Sequence, residues 1–165
     1  MELVYIGKIV NTHGIKGELR LLSDFDKKDI VFKKGFVVYV GEGHIRETIN
    51  SYRRHKCFDM VTFEGYSNIN EVLRYKGLNV YVNREDLNLD SNDYLLEDLI
   101  GFSIKDSGEI LGKVKEIVYN GSGTLLVIEG TKTFYIPNNP AFVRRVNMDS
   151  KEIECENAKG LIIWK

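Results

Sequence analysis

The sequence predicts a mainly β protein made of two small β-barrel domains, with one short helix in the N-terminal half. Three observations predict it. Fifteen glycines are spread along 165 residues, with short runs of valine, isoleucine, tyrosine and phenylalanine between them, the pattern of short strands joined by tight turns. One segment, residues 68–77, carries helix signals at both ends. The hydrophobic period is lost over residues 83–93, N-R-E-D-L-N-L-D-S-N-D, a stretch rich in Asn and Asp. These place a first domain at 1–84, a linker at 85–92 and a second domain at 93–165.

The elements follow in order. Leu3 to Val10 reads as a strand interrupted by Gly7. Glu18 to Leu22 alternates, with Leu19 and Leu21 on one face, as a half-buried strand does. Between them lies N-T-H-G-I-K-G-E-L-R, Asn11 to Arg20, whose glycines suit a barrel corner. S-D-F-D-K-K-D-I reads as a loop. Phe36 to Val40 is a short strand ending at the hairpin signal Gly41-Glu42-Gly43. His44 to Arg54 is long and mostly polar, and Phe58 to Phe63 is a strand. The helix is N-I-N-E-V-L-R-Y-K-G: Asn68 caps it, Glu71 completes a capping box, Ile69, Val72 and Leu73 trace one face, and Gly77 stops it. A strand follows over Leu78 to Val82.

The second half repeats the style. Tyr94 to Ile100 reads as a turn of helix or strand, and Phe102 to Ile104 as a strand closed by a turn at Gly108. Leu111 to Tyr119, a hairpin turn at Asn120 to Gly123, Thr124 to Glu129 and Thr133 to Ile136 make a meander. Ala141 to Val146 reads as a short helical turn and Lys151 to Cys155 as a last strand.

Charge divides unevenly. Residues 1–85 hold 14 Lys/Arg and 11 Asp/Glu (+3), and residues 86–165 hold 9 and 13 (−4), giving the net −1. A mildly basic half joined to an acidic half points to modules with different partners. Cys57 and Cys155 form no C-x-x-C and read as free thiols of a reducing cytoplasm. No run approaches a membrane span or a signal peptide, so no membrane partner is expected.

Candidate chemistry is sparse. A phosphate loop needs G-x-x-x-x-G-K-[ST] before a helix, but Gly14-x-x-Gly17 precedes a strand pattern. His13 has no nucleophile placed near it. His55 and Cys57 are half a zinc set without a second pair. D-F-D-K-K-D starts like a calcium loop, but Asp29 stands where glycine is required and Gly35 where the bidentate glutamate belongs. No catalytic, cofactor or metal site is expected. The basic run Arg53, Arg54, His55 and Lys56, with Arg46 and Tyr52, mixes cations with an aromatic residue, a composition suited to phosphate contacts and base stacking. A solvated strand end accounts for the same run equally well. Lys16 and Arg20 are further candidates for touching a phosphate backbone.

G-K-I-V-N-T-H-G-I-K-G-E-L-R at Gly7–Arg20 resembles the opening of the RimM family of bacterial ribosome maturation factors. The similarity continues through D-Y-L-L-E-D-L-I-G-F-S-I, G-E-I-L-G-K-V-K-E-I-V-Y-N-G-S-G-T-L-L-V-I and I-P-N-N-P-A-F-V, which resemble the PRC-barrel module in its form in that family. The resemblance runs from about residue 4 to residue 163. It implies a six-stranded N-terminal barrel similar to those of translation factors, followed by a PRC barrel. It implies a non-enzymatic assembly factor that binds small-subunit ribosomal protein S19 and assists maturation of the 30S head and processing of 16S rRNA. The family's tyrosine pair at the start of the PRC module appears here as Tyr94-Leu95, with leucine replacing the second tyrosine. The partner contact is therefore expected at Tyr94, Leu95, Leu96 and Leu99, and RNA contact at Lys16, Arg20 and Arg53 to Lys56. The reading is of a cytoplasmic monomer without cofactor. The alternative is a stand-alone rRNA-binding β-barrel module with no ribosomal-protein partner.

Overall fold

A computed structural model of the chain describes residues 1–120 and 123–162. The chain divides into two units, Met1–Asn88 and Leu89–Lys165.

In the first unit six strands close a barrel: β1 (Leu3–His13), β2 (Glu18–Leu22), β3 (Val37–Val40), β4 (Ile45–His55), β5 (Phe58–Phe63) and β6 (Asn79–Asn83). They pair in the order β1-β2-β5-β4-β3-β6, and β6 returns antiparallel to β1. Alternation along each strand fills the interior. Leu19 and Leu21 of β2, Val61 and Phe63 of β5, and Val80 and Val82 of β6 are all buried, because residues two apart share a face. Register shifts between Tyr5 and Gly7 and between Ile9 and Asn11 mark irregularities in β1. Such bulges bend a strand and let it serve two neighbours.

The corner between β1 and β2 is Gly14-Ile15-Lys16-Gly17, with φ of +72° at Gly14 and +94° at Gly17. A Cβ at Gly17 would lie 3.2 Å from the Asn68 carbonyl oxygen, and the Ile69 N–H donates to the Ile15 carbonyl at 2.9 Å. Shape and chirality therefore both require glycine there. The element that follows is a strand, so the stacked N–H groups of a phosphate-binding helix start are absent from this corner.

Several segments differ from the sequence reading. The polar stretch His44–Arg54 lies almost wholly in the eleven-residue strand β4, which runs on to His55. Its outward positions carry Arg46, Ser51 and Arg53, and one buried position is Glu47, so no apolar alternation marks it. Within the presumed loop, Lys28–Val31 forms a single turn of α-helix, α1. The helix read over Asn68–Gly77 is two successive 3₁₀ turns, Ile69–Glu71 and Leu73–Tyr75. Its capping box is present: the Asn70 N–H donates to Asn68 Oδ1 at 2.9 Å, and the Asn68 N–H to Glu71 Oε1 at 3.2 Å. The buried face is Val72 and Tyr75, while Leu73 is exposed, as the three-residue period of a 3₁₀ turn dictates.

After a 3₁₀ turn at Arg84–Leu87, where Leu87 is buried inside the stretch read as linker, the second unit begins. It contains β7 (Ser103–Asp106), β8 (Glu109–Asn120), β9 (Gly123–Glu129), β10 (Thr133–Pro137), β11 (Val143–Asn147) and β12 (Glu152–Cys155). They form one sheet in the order β10-β9-β8-β7-β12-β11. All neighbours are antiparallel except β12 and β7, which run parallel. No ladder joins β10 to β11 among the described residues. Ala141–Val146 is not a helical turn: Val143–Asn147 pairs with β12. The hairpin read at Asn120–Gly123 has its centre, Gly121 and Ser122, outside the described residues. The core gathers Leu99, Phe102, Ile104, Val114, Leu126, Ile128, Phe134, Ile136 and Ile153.

Gly112 shows how closely β8 and β9 approach. A Cβ there would sit 2.5 Å from the Glu129 carbonyl oxygen, inside any tolerable contact. Gly112→Ala is expected to destabilise the second unit by about 1–3 kcal/mol through forced backbone displacement. Gly160→Ala, in open space, should stay within about 0.5 kcal/mol. Urea unfolding followed by circular dichroism compares the two.

Candidate functional site

The basic run lies on the β4–β5 hairpin, and the barrel sends its members to two sides. Arg53 and His55 share the outward face of β4, while Arg54 turns toward Asp59. Asp59 is wholly buried and shares a strand face with Val61 and Phe63. Its Oδ1 accepts from the Tyr52 hydroxyl at 2.6 Å and from Arg54 Nη1 at 3.1 Å. The Lys28 ammonium, delivered by α1, stands 2.9 Å from Oδ2 as a point charge rather than an aligned hydrogen bond. Phe32, just after α1, stacks on Tyr52 with ring centroids 5.3 Å apart. Arg54 is therefore a structural counter-ion of the barrel end.

The outward face holds a second cluster. Arg53 grips Glu18 with two bonds of 2.8 Å, the bidentate form that gives such pairs their geometry. These bonds hold the Glu18 carboxyl below the ordinary range, against a smaller opposing effect of burial. Arg20 donates from Nη2 to His13 Nδ1 at 2.9 Å. A guanidinium only donates, so Nδ1 is the acceptor of this bond. The Arg20 guanidinium lies over the Phe58 ring at 5.0 Å, while its Nε is buried without a hydrogen-bond partner. His55 stands beside His13 with ring centroids 5.7 Å apart. Desolvation first, then Arg53, Lys56 and other neighbouring charges, push the His55 pKa down, so the imidazole is neutral at physiological pH. Arg20 and Arg53 both neighbour Met60 across the strands, and Met60 is fully buried; arginine stems readily cover an apolar side chain while their heads stay in water. Lys16, in the β1–β2 corner, and Lys56, in the β4–β5 turn, are exposed and make no ion pair among the described residues.

At the other end of β4 the buried Glu47 carboxylate accepts hydrogen bonds from the hydroxyls of Tyr66, at 2.6 Å, and Tyr75. Arg74 donates to both phenol oxygens, at 3.0 and 2.9 Å. Burial, then the bond to Glu47, raises the Tyr75 pKa. The sequence reading singled out none of these four residues. Glu47 lies on β4 and the other three in the segment after β5, so the folded barrel brings them together.

In the second unit, Leu96–Leu99 is a 3₁₀ turn started by the Leu95 N–H donating to Asp98 Oδ2 at 2.8 Å. Leu95 and Leu99 are buried, at 3% and 1% exposure. Tyr94 and Leu96 are half-buried against the core, and Ile100 is 48% exposed. Of the four apolar residues, Leu99 belongs to the unit's core, Leu95 is buried, and Tyr94 and Leu96 are partly buried against that core.

Among the described residues, no three His, Cys, Asp or Glu side chains converge as a metal site. Cys155 borders a depression of about 400 Å³ lined also by Lys105, Arg144 and Glu154. Burial, then Asp106, pushes its thiol up to about 11, which keeps it protonated and poorly nucleophilic. No described helix is long and apolar enough to cross a membrane.

A closed six-stranded barrel followed by a six-stranded sheet, with cations on one and an anchored apolar segment on the other, defines a tandem of two small β modules. The first matches the RimM N-terminal domain over residues 4–87, and the second the RimM PRC barrel domain over residues 96–161. The chain belongs to the RimM family of ribosome maturation factors. It is 38% identical over 164 residues to the ribosome maturation factor RimM of Staphylococcus aureus strain bovine RF122 / ET3-1, covering 96% of this chain and 98% of that one. The same protein from S. aureus strain JH9 is 37% identical with the same coverage. Among solved structures, a 16S ribosomal RNA processing protein RimM of Pseudomonas aeruginosa matches at 20% identity and TM-score 0.43, over 96% of this chain and 99% of that one. The N-terminal domain of RimM from Thermus thermophilus matches at 28% identity and TM-score 0.46, over 53% of this chain and 95% of that domain.

Two titrations check this geometry. The Tyr52 phenol is raised to about 12, by burial first and then by Asp59. Its folded pKa exceeds the ordinary value of about 10, so its contribution is full below about pH 10 and is lost as pH rises toward 12. Tyr52→Phe should flatten that alkaline loss and cost about 1–3 kcal/mol near neutrality by leaving the buried carboxylate a donor short; urea unfolding across the alkaline range measures both. Glu18 has the opposite sign: its depressed pKa contributes above the ordinary carboxylate value and is lost as pH falls through the folded one. An NMR titration of its side-chain carboxyl should show the Glu18 pKa rising in Arg53→Ala.

Proposed function

We propose that the protein is a non-enzymatic assembly factor of the small ribosomal subunit. It binds ribosomal protein S19 through the second unit and assists maturation of the 30S head, including processing of 16S rRNA, in the cytoplasm. The observation that carries this is family membership along nearly the whole chain. The apolar segment supports the protein contact: Tyr94 and Leu96 are only partly buried, and Leu99 ties their segment to the unit's core. The unit's acidity supports it too. Residues 89–165 hold 9 Lys/Arg and 12 Asp/Glu, a charge of −3, and a basic ribosomal protein is steered toward such a surface. The first unit, at 14 Lys/Arg and 12 Asp/Glu (+2), approaches ribosomal RNA. The factor acts by binding one arrangement of the subunit head more tightly than others, which is the only way a ligand shifts such an equilibrium.

The second reading is a stand-alone rRNA-binding module, favoured by the unpaired cations Lys16 and Lys56. The two readings separate in one experiment. Purified S19 should be retained by the immobilised full chain at low salt, and Tyr94→Ala with Leu96→Ala should weaken retention at least tenfold while leaving the fold intact. Failure of the wild-type chain to retain S19 counts against the first reading. Loss of rRNA binding in Lys16→Ala with Lys56→Ala, alongside no retention of S19 by the wild-type chain, favours the second.

A further inference from the structure

Three tyrosines stand in one cross-strand row on the outside of the first barrel. Tyr5 of β1 is the register partner of Tyr81 of β6, and Tyr81 is the partner of Tyr39 of β3. The row continues to Arg46 of β4, the partner of Tyr39. Alternation places all of them outward, because their chain neighbours Val4, Ile6, Val38, Val40, Val80 and Val82 fill the core. Tyr5 meets Tyr81 edge to face with centroids 6.0 Å apart, and His44, at the β3–β4 turn, meets Tyr81 in the same way at 5.5 Å.

Cross-strand aromatic pairs stabilise sheets by themselves, but this row has features that packing does not require. Tyr5 remains 49% exposed. None of the three hydroxyls has a hydrogen-bond partner among the described residues. The flanking cations, Arg46 and Lys8, are exposed and make no ion pair among the described residues, unlike Arg53 and Arg54, which are held by Glu18 and Asp59. Burial, then Tyr81 and Asp24, raises the Tyr5 pKa, so the phenol carries no charge near neutrality.

We propose that this face is a stacking platform for unpaired bases of single-stranded RNA, with Lys8 and Arg46 meeting the phosphates. Every base has a π-face, and aromatic side chains on a sheet bind successive bases without reading their sequence. Adjacent strands lie about 4.8 Å apart, so three aromatic residues on three neighbouring strands set three rings side by side, the device by which sheet-based RNA-recognition modules hold two or three bases. Charge selects the occupant. An apolar protein surface would cover the rings without needing two unneutralised cations beside them, whereas an RNA strand satisfies both. The site is separate from the Arg20–Arg53 cluster, and only its cellular target, ribosomal RNA, rests on the function proposed above.

Fluorescence anisotropy of the full chain with a labelled oligouridylate of about ten nucleotides tests it. The wild type is expected to bind, with affinity falling as salt rises. Tyr5→Ala and Tyr39→Ala should each weaken binding roughly fivefold to a hundredfold, while Tyr5→Phe, which keeps the ring, should bind like wild type. Lys8→Ala with Arg46→Ala, both at exposed positions, should lower the salt slope by about 1.4, the value for two phosphate contacts on a single strand. Thermal melts confirm that each variant is folded. Absence of binding by the wild type at low salt overturns the proposal, as does unchanged affinity in folded Tyr5→Ala together with an unchanged slope in the double-lysine-arginine variant. Self-association abolished by Tyr5→Ala, with no RNA bound, assigns the face to a second copy and overturns it as well. Retention of S19 is independent of all these outcomes.

Discussion

Asp59 sits with its side chain wholly out of water, where an isolated carboxylate would cost several kcal/mol. Much of the first barrel's end is arranged around that fact. α1 brings Lys28, the β4–β5 hairpin brings Arg54, and Tyr52 supplies a hydroxyl before stacking on Phe32. The helical turn is too short to be stable alone, since isolated helices under about twelve residues are marginal in water. Its ammonium on Asp59 and the burial of Val31 and Phe32 hold it in place.

The opposite end of β4 solves a similar problem with neutral donors. Glu47 is met by two phenols, and Arg74 stands behind them at 3.9 Å from its carboxylate. A buried carboxylate supplied with good hydrogen bonds is tolerable and directional, whereas apolar packing at the same place would define no unique arrangement. The 3₁₀ turns that carry Val72 and Tyr75 are therefore tied to β4 by a polar contact as well as by burial. With its two ends so specified, the barrel leaves its outer faces free to vary in chemistry. One face bears paired charges over Met60 and the other a row of tyrosines.

Much of this was legible in the sequence where a single strand decided the outcome. Leu19 and Leu21 announce the inner face of β2, glycines mark the β1–β2 corner, and Asn68 with Glu71 mark a cap that the structure contains. What stayed hidden depends on pairs of strands. β4 has a glutamate where alternation looks for an apolar residue, because tyrosines from a distant segment donate hydrogen bonds to its carboxylate. Arg53 and Arg54 look equivalent as neighbours in a basic run, yet a strand sends them to opposite sides, one to Glu18 and one to Asp59. β11 carries Arg144 and Arg145 in sequence, which blurs its period, and a register shift between Val143 and Arg145 blurs it further. In the second module the apolar run after Tyr94 was visible as apolar, but which of its leucines face inward depends on the 3₁₀ turn that Asp98 starts.

The parallel pairing of β12 with β7 has a consequence for how the chain is made. β12 is an interior strand, between β7 and β11, yet about fifty residues separate Ile104 from its partner Ile153. Asp106 then receives the N–H groups of Ala158 and Lys159, so the first strand of the sheet also holds the segment after the last. Chains fold from the N-terminal domain onward as they are synthesised, and contacts of such long separation form slowly. The first barrel can close as soon as residue 83 is free, because β6 completes it against β1. The second must wait, with one side of β7 unpaired, until nearly the whole chain has emerged. During that interval the nascent protein carries a finished module tethered to an open sheet edge.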